Sequence, residues 1–125
     1  MDPERTILVI DDDPNIILFC ETVLTHAGFR VVSAYSASDG WEVAQKEEPD
    51  LIVVDVMMEE VDSGFHLARR LHGLLPDVPI LMLSAIADAS AKVFDISSLP
   101  VSDLVDKPIE ASELLSKVRH LLRME

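Results

Sequence analysis

The chain has 125 residues, of which 10 are basic and 23 acidic, so its formal net charge is −13. This length suits one domain with a single core over residues 1–125, and a hydrophobic content of 49% excludes an intrinsically disordered chain. The charge argues against direct nucleic-acid binding, which depends largely on Lys and Arg neutralising phosphates. It favours divalent cations or a basic protein partner instead.

Targeting and redox features are sparse. No apolar run reaches the ~18 residues that a membrane span requires, and residues 1–6 lack the basic and then apolar pattern of a signal peptide. We therefore expect a cytoplasmic protein without membrane contact. Cys20 is the single cysteine, so no internal disulfide can form, and its apolar helical surroundings favour an inert core thiol.

Segments typical of strands and helices alternate along the whole chain. In chain order we predict a strand at 7–10, a helix at 15–27, a strand at 30–35, a helix at 39–48, a strand at 51–54, a helix at 64–75, a strand at 80–83, a weaker helix at 89–96, a strand at 104–105 and a helix beginning near 110. Asp13 followed by Pro14 predicts an N-cap with proline at the first helical position. Ser38 is predicted to cap the second helix.

The third strand carries the strongest signal. Residues 51–54 are four consecutive aliphatic residues that lead into Asp55, a pattern that favours a parallel strand covered on both faces. Ligands of open α/β sheets bind beyond the carboxyl ends of the strands. A lone aspartate after a strand more commonly caps the next loop, but two other strands also end in polar residues, Asp11 to Asp13 and Ser84.

Five β-then-α units without repeats predict an α/β fold, namely a doubly wound parallel sheet of five strands with helices on both faces. Right-handed crossovers and the number of strands favour the flavodoxin-like order 2-1-3-4-5. The first and third strands are neighbours in that order. The aspartates at 11–13 and Asp55 are therefore expected to converge.

Converging carboxylates repel one another unless a cation neutralises them. Oxygen ligands suit a hard cation, and Mg²⁺ typically takes one or two carboxylates together with water and phosphate. A carboxylate can also act as a nucleophile and form an aspartyl phosphate. Phosphoryl transfer needs positioning and charge neutralisation above all, for which Lys107 offers a cation and Ser84 a hydroxyl donor.

Together these features resemble a response-regulator receiver domain of two-component signalling. The resemblance covers essentially the whole chain. It rests on four motifs: Ile-Leu-Val-Ile-Asp-Asp-Asp-Pro at 7–14, Leu-Ile-Val-Val-Asp at 51–55, Leu-Ser-Ala at 83–85 and Asp-Lys-Pro at 106–108. It implies a signalling domain that assists its own phosphorylation and dephosphorylation and is otherwise not an enzyme.

The resemblance also implies roles for individual residues. Asp55 would be the phosphoacceptor, and Ser84 and Lys107 would contact the phosphoryl group. The ligands of Mg²⁺ would be Asp11, Asp12, Asp55 and the backbone carbonyl of Met57. Of the acidic pair formed by Asp11 and Asp12, Asp12 would be the more direct ligand. The bond between Lys107 and Pro108 is commonly cis in the family.

Partners follow from the same resemblance. A sensor histidine kinase or a phosphotransfer protein would supply the phosphoryl group, and a downstream protein partner or an output domain would respond. Because the chain ends soon after the last predicted helix, we expect no output domain within it. It would act alone or belong to a longer regulator or hybrid kinase.

Three departures from the family pattern bear on function. The loop at 58–64 lacks the usual proline and is one residue longer. Leu104 occupies a switch position that usually holds Tyr or Phe. Met57 and Ile86 are apolar at the two positions that tune phosphoryl lifetime, so the sequence predicts slow self-dephosphorylation.

Two alternatives remain open from the sequence. Asp11 and Asp13 have the spacing of the opening motif of haloacid-dehalogenase-like phosphatases, although Asn15 stands where that family expects Thr or Val. The altered loop and Leu104 would also suit a receiver-like docking module that is never phosphorylated. The four histidines fall on predicted helices, where surface or helix-end positions are expected rather than metal ligands: His26, His66, His72 and His120.

Overall fold

The computed structural model describes residues 4–55, 63–84 and 101–123, and the predicted helix at 89–96 lies outside these ranges. The described elements alternate as predicted from the first strand to the fourth. They are β1 (Thr6–Ile10), α1 (Pro14–His26), β2 (Arg30–Ala34), α2 (Ala37–Glu47), β3 (Leu51–Asp55), α3 (Ser63–Leu74), β4 (Ile80–Ser84), β5 (Asp103–Asp106) and α4 (Ala111–Leu121).

All five strands are parallel and form one sheet in the order β2-β1-β3-β4-β5. The predicted fold class is therefore confirmed. The register places Ile10 beside Val54, so Asp11 and Asp55, the residues that follow them, lie at the same edge of the sheet. The switch between β1 and β3 is where the strand order reverses, which is where sheets of this kind bind ligands.

Each face of the sheet has its own apolar core. Leu51 and Val53 of β3 belong to a core shared with α1 and α4, whereas Ile52 and Val54 belong to one shared with α2 and α3. All four side chains are fully buried. The unbroken aliphatic run of β3 thus follows from burial on both faces.

The helix starts test the capping predictions. Asp13 caps α1 as predicted, because its Oδ1 accepts the N–H of Asn15 at 2.9 Å. The prediction for α2 is wrong: Ser36, not Ser38, is its N-cap and accepts the N–H of Asp39 at 3.1 Å. Ser36 has the extended backbone that an N-cap requires, so α2 begins two residues earlier than predicted.

Helix α2 approaches the sheet closely where β1 ends. A Cβ atom at Gly40 would lie 2.6 Å from Cδ1 and 3.0 Å from Cγ1 of Ile10, whose side chain is fully buried. A side chain at position 40 would therefore collide with the residue that precedes Asp11. Within the described ranges, no helix is long and apolar enough to cross a membrane.

Candidate functional site

Three charged side chains meet at the carboxyl end of the sheet. Asp11 follows β1, Asp55 ends β3 and Lys107 follows β5. The Nζ of Lys107 lies 3.2 Å from Oδ2 of Asp11 and 3.1 Å from Oδ1 of Asp55. The topology thus brings together residues that are 96 and 52 positions apart in the chain.

Asp11 is held on several sides. Its backbone N–H donates to the carbonyl of Ala34 at 3.1 Å, and its Oδ1 accepts the N–H of Asp13 at 2.9 Å. Its other carboxylate oxygen accepts from Lys107, and the residue is completely buried. Asp12, one position along, is exposed.

Asp11, Asp12 and Asp55 each offer a carboxylate oxygen, and these oxygens lie within 4.8 Å of one another. Among the described residues this is the single group of three or more His, Cys, Asp or Glu side chains close enough to share a cation. Three carboxylates against one ammonium leave two negative charges when all four groups are ionised. The donors therefore fit a hard divalent cation in both charge and chemistry.

Burial controls the electrostatics of this site. Desolvation raises the pKa of Asp55 from its ordinary 3.8 to about 6, repulsion by Asp11 adds to the rise, and Lys107 opposes it. Burial also raises the pKa of Asp11, although the Asp13 N–H and Lys107 limit the effect. For Lys107 burial acts downward, but the two carboxylates outweigh it and raise its pKa, so the amine is protonated.

Other predicted site residues are described in part. Ser84 ends β4 next to Leu83, the register partner of Asp55, while its side chain and Met57 lie outside the described set. The bond between Lys107 and Pro108 is cis, as the resemblance implied. Leu104 is partly buried and packs against the core shared with α2 and α3.

Lys117 was not predicted from the sequence, and it contacts β5, the strand that leads into Lys107. Its Nζ donates to the carbonyl of Leu104 at 2.6 Å and to Oδ1 of Asp103 at 3.3 Å. The signal in the sequence that could have identified Lys117 is its position next to Val118, which lies on the inward side of α4. Cys20 is buried as expected, and burial raises the pKa of its thiol to about 12, so it is unreactive at neutral pH.

The family model for the response regulator receiver domain matches residues 7–119. The chain belongs to the response regulator receiver domain family. Members are signalling domains of two-component systems rather than classical enzymes. The family works with histidine kinases and output domains, and it binds Mg²⁺ at an acidic pocket of the kind that Asp11, Asp12 and Asp55 form here.

Curated relatives agree with this assignment. The transcriptional regulatory protein GltR of Pseudomonas aeruginosa is 39% identical over 121 residues, which cover 95% of this chain and 49% of GltR. The DNA-binding dual master transcriptional regulator RpaA of Synechocystis is 38% identical over 119 residues, covering 94% of this chain and 48% of RpaA. The chain thus spans about half the length of the curated relatives it matches.

Solved structures match over nearly the full chain. A putative response regulator from Chloroflexus aurantiacus is 33% identical with a TM-score of 0.86, covering 97% of this chain and 99% of that one. The response regulator TrrA of Thermotoga maritima, solved in complex with Mg(2+)-BeF, is 26% identical with a TM-score of 0.82 over 94% and 98% of the two chains.

The family assignment favours phosphoacceptor signalling over both alternatives from the sequence. The phosphatase alternative depends on Asp13 as a second acid of the opening motif. That carboxylate instead caps α1 through the N–H of Asn15. The role of Asp13 as a helix cap therefore explains the spacing of Asp11 and Asp13 without a phosphatase motif.

Proposed function

We propose that the chain accepts a phosphoryl group on Asp55 from the phosphohistidine of a kinase or phosphotransfer protein. The observation that carries the proposal is Lys107 bridging Asp11 and Asp55, with an oxygen of Asp12 within 4.8 Å of oxygens of the other two acids. We further propose that residues 1–125 form one domain that works in the cytoplasm.

The chemistry begins at the Asp55 carboxylate. One of its oxygens attacks the phosphorus, a new P–O bond forms, and the P–N bond to the donor histidine breaks with its electron pair going to the imidazole nitrogen. A pKa of about 6 leaves Asp55 mainly ionised at neutral pH. The ammonium of Lys107, already 3.1 Å from Asp55, neutralises charge that the phosphoryl oxygens bring in.

Asp11 and Asp12 have different proposed roles because they differ in burial. Asp11 is buried, and its two oxygens already accept from the Asp13 N–H and Lys107, so it fixes the amine and adds negative charge. Asp12 is exposed and more available as a direct ligand. Asp11, Asp12, Asp55 and the Met57 carbonyl would hold Mg²⁺, which when bound supplies positive charge for the approach of an anionic phosphoryl group.

Ser84 is proposed to contact the phosphoryl group, since it follows the register partner of Asp55 at the same edge of the sheet. Formation of the aspartyl phosphate would shift a two-state equilibrium on the face formed by β5, α4 and the predicted helix at 89–96. Leu104 has no aromatic ring to rotate. The coupling would therefore operate through backbone and aliphatic packing.

Incubation with acetyl phosphate and MgCl₂, followed by intact-mass spectrometry, tests the assignment. The chain should gain the mass of one phosphoryl group, and Asp55→Ala should gain none. Asp39→Asn, which removes an exposed carboxylate of α2, is the matched control and should be labelled like the unaltered chain.

The alternatives give different outcomes in the same experiment. Labelling that persists in Asp55→Ala contradicts the site assignment, and rapid turnover of a phosphomonoester through Asp11 would favour a phosphatase. A folded chain that binds Mg²⁺ but is never labelled would favour a docking module.

A further inference from the structure

A second site-like feature lies at the opposite end of the sheet. A cleft of about 700 Å³ opens where β4 and β5 begin, between the last turns of α3 and α4. Its lining includes His72, Val78, Val101, His120, Leu121 and Arg123. We name it the amino-end cleft, and it uses none of the residues of the proposed phosphoryl site.

The walls of the amino-end cleft are fixed by hydrogen bonds. Ser102 donates its N–H to the carbonyl of Ile80 at 2.7 Å, and its hydroxyl oxygen accepts the N–H of Ile80 at 3.2 Å. On the other side, the N–H of Leu75 donates to Leu71 at 2.7 Å and that of Val78 to Leu75 at 3.1 Å. The cleft is therefore preformed, which lowers the ordering cost of binding.

The amino-end cleft is lined by three basic residues. His72, His120 and Arg123 are exposed on its rim and form no ion pair in the part of the chain that the structure describes. Among the described lining residues, Asp77 is the single acidic one. With histidines counted as neutral, as in the net charge of −13 for the chain, Arg123 and Asp77 cancel, so the described lining carries no net negative charge.

The cleft continues along the outer side of α4. A second depression of about 490 Å³ shares His120 with it and adds Leu115 and Arg119. Together the two depressions form a groove whose described lining holds two arginines, two histidines and one aspartate. A groove of this length suits an extended segment better than a compact ion.

Arg123 is held in a backbone conformation that arginine does not favour. Its φ is +58°, in the left-handed region, and its N–H donates to the carbonyl of His120 at 3.0 Å. Glycine is the usual residue at this position after a helix, and other residues lose roughly 1 kcal/mol there. Arg123 is exposed and belongs to the lining of the cleft.

We propose that the amino-end cleft and its continuation along α4 bind an extended acidic segment of a partner protein. Carboxylates of that segment would pair with Arg123, Arg119 and His120, and its apolar side chains would contact Val78, Val101 and Leu121. Charge complementarity favours this occupant, because Arg119 and Arg123 outnumber the single acid of the described lining, Asp77, and form no ion pair among the described residues.

Fluorescence anisotropy with a labelled synthetic peptide of alternating Glu and Leu tests the proposal. The unphosphorylated 125-residue chain, without Mg²⁺, should bind this peptide and bind its Gln-for-Glu counterpart at least about tenfold more weakly. Affinity should fall as salt rises. Because these conditions do not test the proposed phosphorylation of Asp55, either proposal can fail without affecting the other.

Substitution of Arg123 by glycine separates binding from folding. Arg123→Gly should weaken binding about tenfold or more while the melting temperature stays the same or rises, because the left-handed backbone strain is relieved. Glu48→Gly is the matched control. Glu48 also has a positive φ, at the end of α2 away from the cleft, so this variant should bind the peptide unchanged.

Amide chemical shifts on titration identify where the peptide binds. Shifts at Val101, Ser102 and Leu121, with none at Asp11 or Asp12, would support the proposal. Equal binding by Arg123→Gly, or shifts confined to the carboxyl end of the sheet, would overturn it. Tighter binding of a single-stranded oligonucleotide than of the acidic peptide would also overturn it, in favour of a phosphate-binding surface.

Discussion

The two ends of the sheet hold charge in opposite ways. At the carboxyl end, Asp11 and Asp55 are almost completely buried, with exposures of 0% and 4%, and both contact Lys107. At the amino end, His120 and Arg123 are exposed and have no ion-pair partner among the described residues. Burying charges, as at the carboxyl end, costs free energy of folding, whereas leaving them exposed, as at the amino end, does not.

This contrast bears on what each end can do. Buried charges interact strongly because little water screens them, so their pKa values shift and one partner determines the state of the others. Exposed charges interact weakly with each other and remain available to an incoming molecule. The carboxyl end is therefore suited to chemistry, and the amino end to recognition.

The largest expected effect comes from removing the central cation. Lys107→Met leaves two buried carboxylates without an ion-pair partner, and breaking a buried pair in this way costs about 3–5 kcal/mol. Urea unfolding at about pH 8 without divalent cations should show a loss of that size in the free energy of unfolding. Excess Mg²⁺ should restore much of it by binding the folded chain.

A matched pair of variants checks the cause of this loss. Lys117→Met removes a lysine that contacts Asp103, a partly exposed acid, and Leu104, so it should cost roughly 1 kcal/mol. If the two lysine variants were equally stable, the contrast between buried and exposed charge would not hold for this protein.

The second effect concerns Asp55 itself and its raised pKa. Between its ordinary pKa of 3.8 and its folded value of about 6, the folded chain keeps a proton on Asp55 that the unfolded chain has released. Stability therefore falls as pH rises through that window and stays lower above it. Asp55→Asn lacks this loss, so without divalent cations it should be more stable than the unaltered chain by roughly 2–3 kcal/mol above pH 6.

Urea unfolding near pH 5 and near pH 8 measures this difference directly. The advantage of Asp55→Asn should be smaller at the lower pH, where the unaltered chain is partly protonated, and Mg²⁺ should reduce it at the higher pH. An advantage independent of pH would show that the ionised form of Asp55 is not the cause.

A third effect tests the packing that places Asp11. Gly40→Ala puts a methyl group against the buried side chain of Ile10, and overpacking of this kind typically costs 1–3 kcal/mol. Ile10→Val removes the Cδ1 atom in the collision and alone costs about 0.5–1.5 kcal/mol. The double variant should therefore be more stable than the sum of the two losses predicts, as a double-mutant cycle in urea would show.

Much of the fold and of the proposed site followed from local sequence. The buried strands are aliphatic runs, and Asp11, Asp55 and Lys107 follow strands whose order right-handed crossovers restrict. What could not be predicted depends on tertiary contact. Nothing in the pattern distinguishes the burial of Asp11 from the exposure of Asp12, and the choice of Ser36 over Ser38 depends on backbone angles.

The amino-end cleft was outside the reach of sequence patterns for a related reason. Its walls come from the ends of α3 and α4 and from the short segments before β4 and β5. His72 and His120 were expected at helix ends, and both are in last turns. The two histidines lie at the same cleft because α3 and α4, which are on opposite faces of the sheet, both end there.

The smallest expected effect is kinetic and concerns how long the phosphoryl group would persist at the carboxyl end. Met57 and Ile86 are apolar, so neither side chain offers a strong hydrogen-bonding group to orient an attacking water molecule. Met57→Asn supplies such a group and should shorten the lifetime of the aspartyl phosphate several-fold, which is less than about 1.4 kcal/mol in activation free energy. Met57→Leu keeps the position apolar and should leave the lifetime unchanged. Loss of label followed by intact mass after removal of acetyl phosphate gives both rates, and equal rates for Asn and Leu would show that water access is controlled elsewhere.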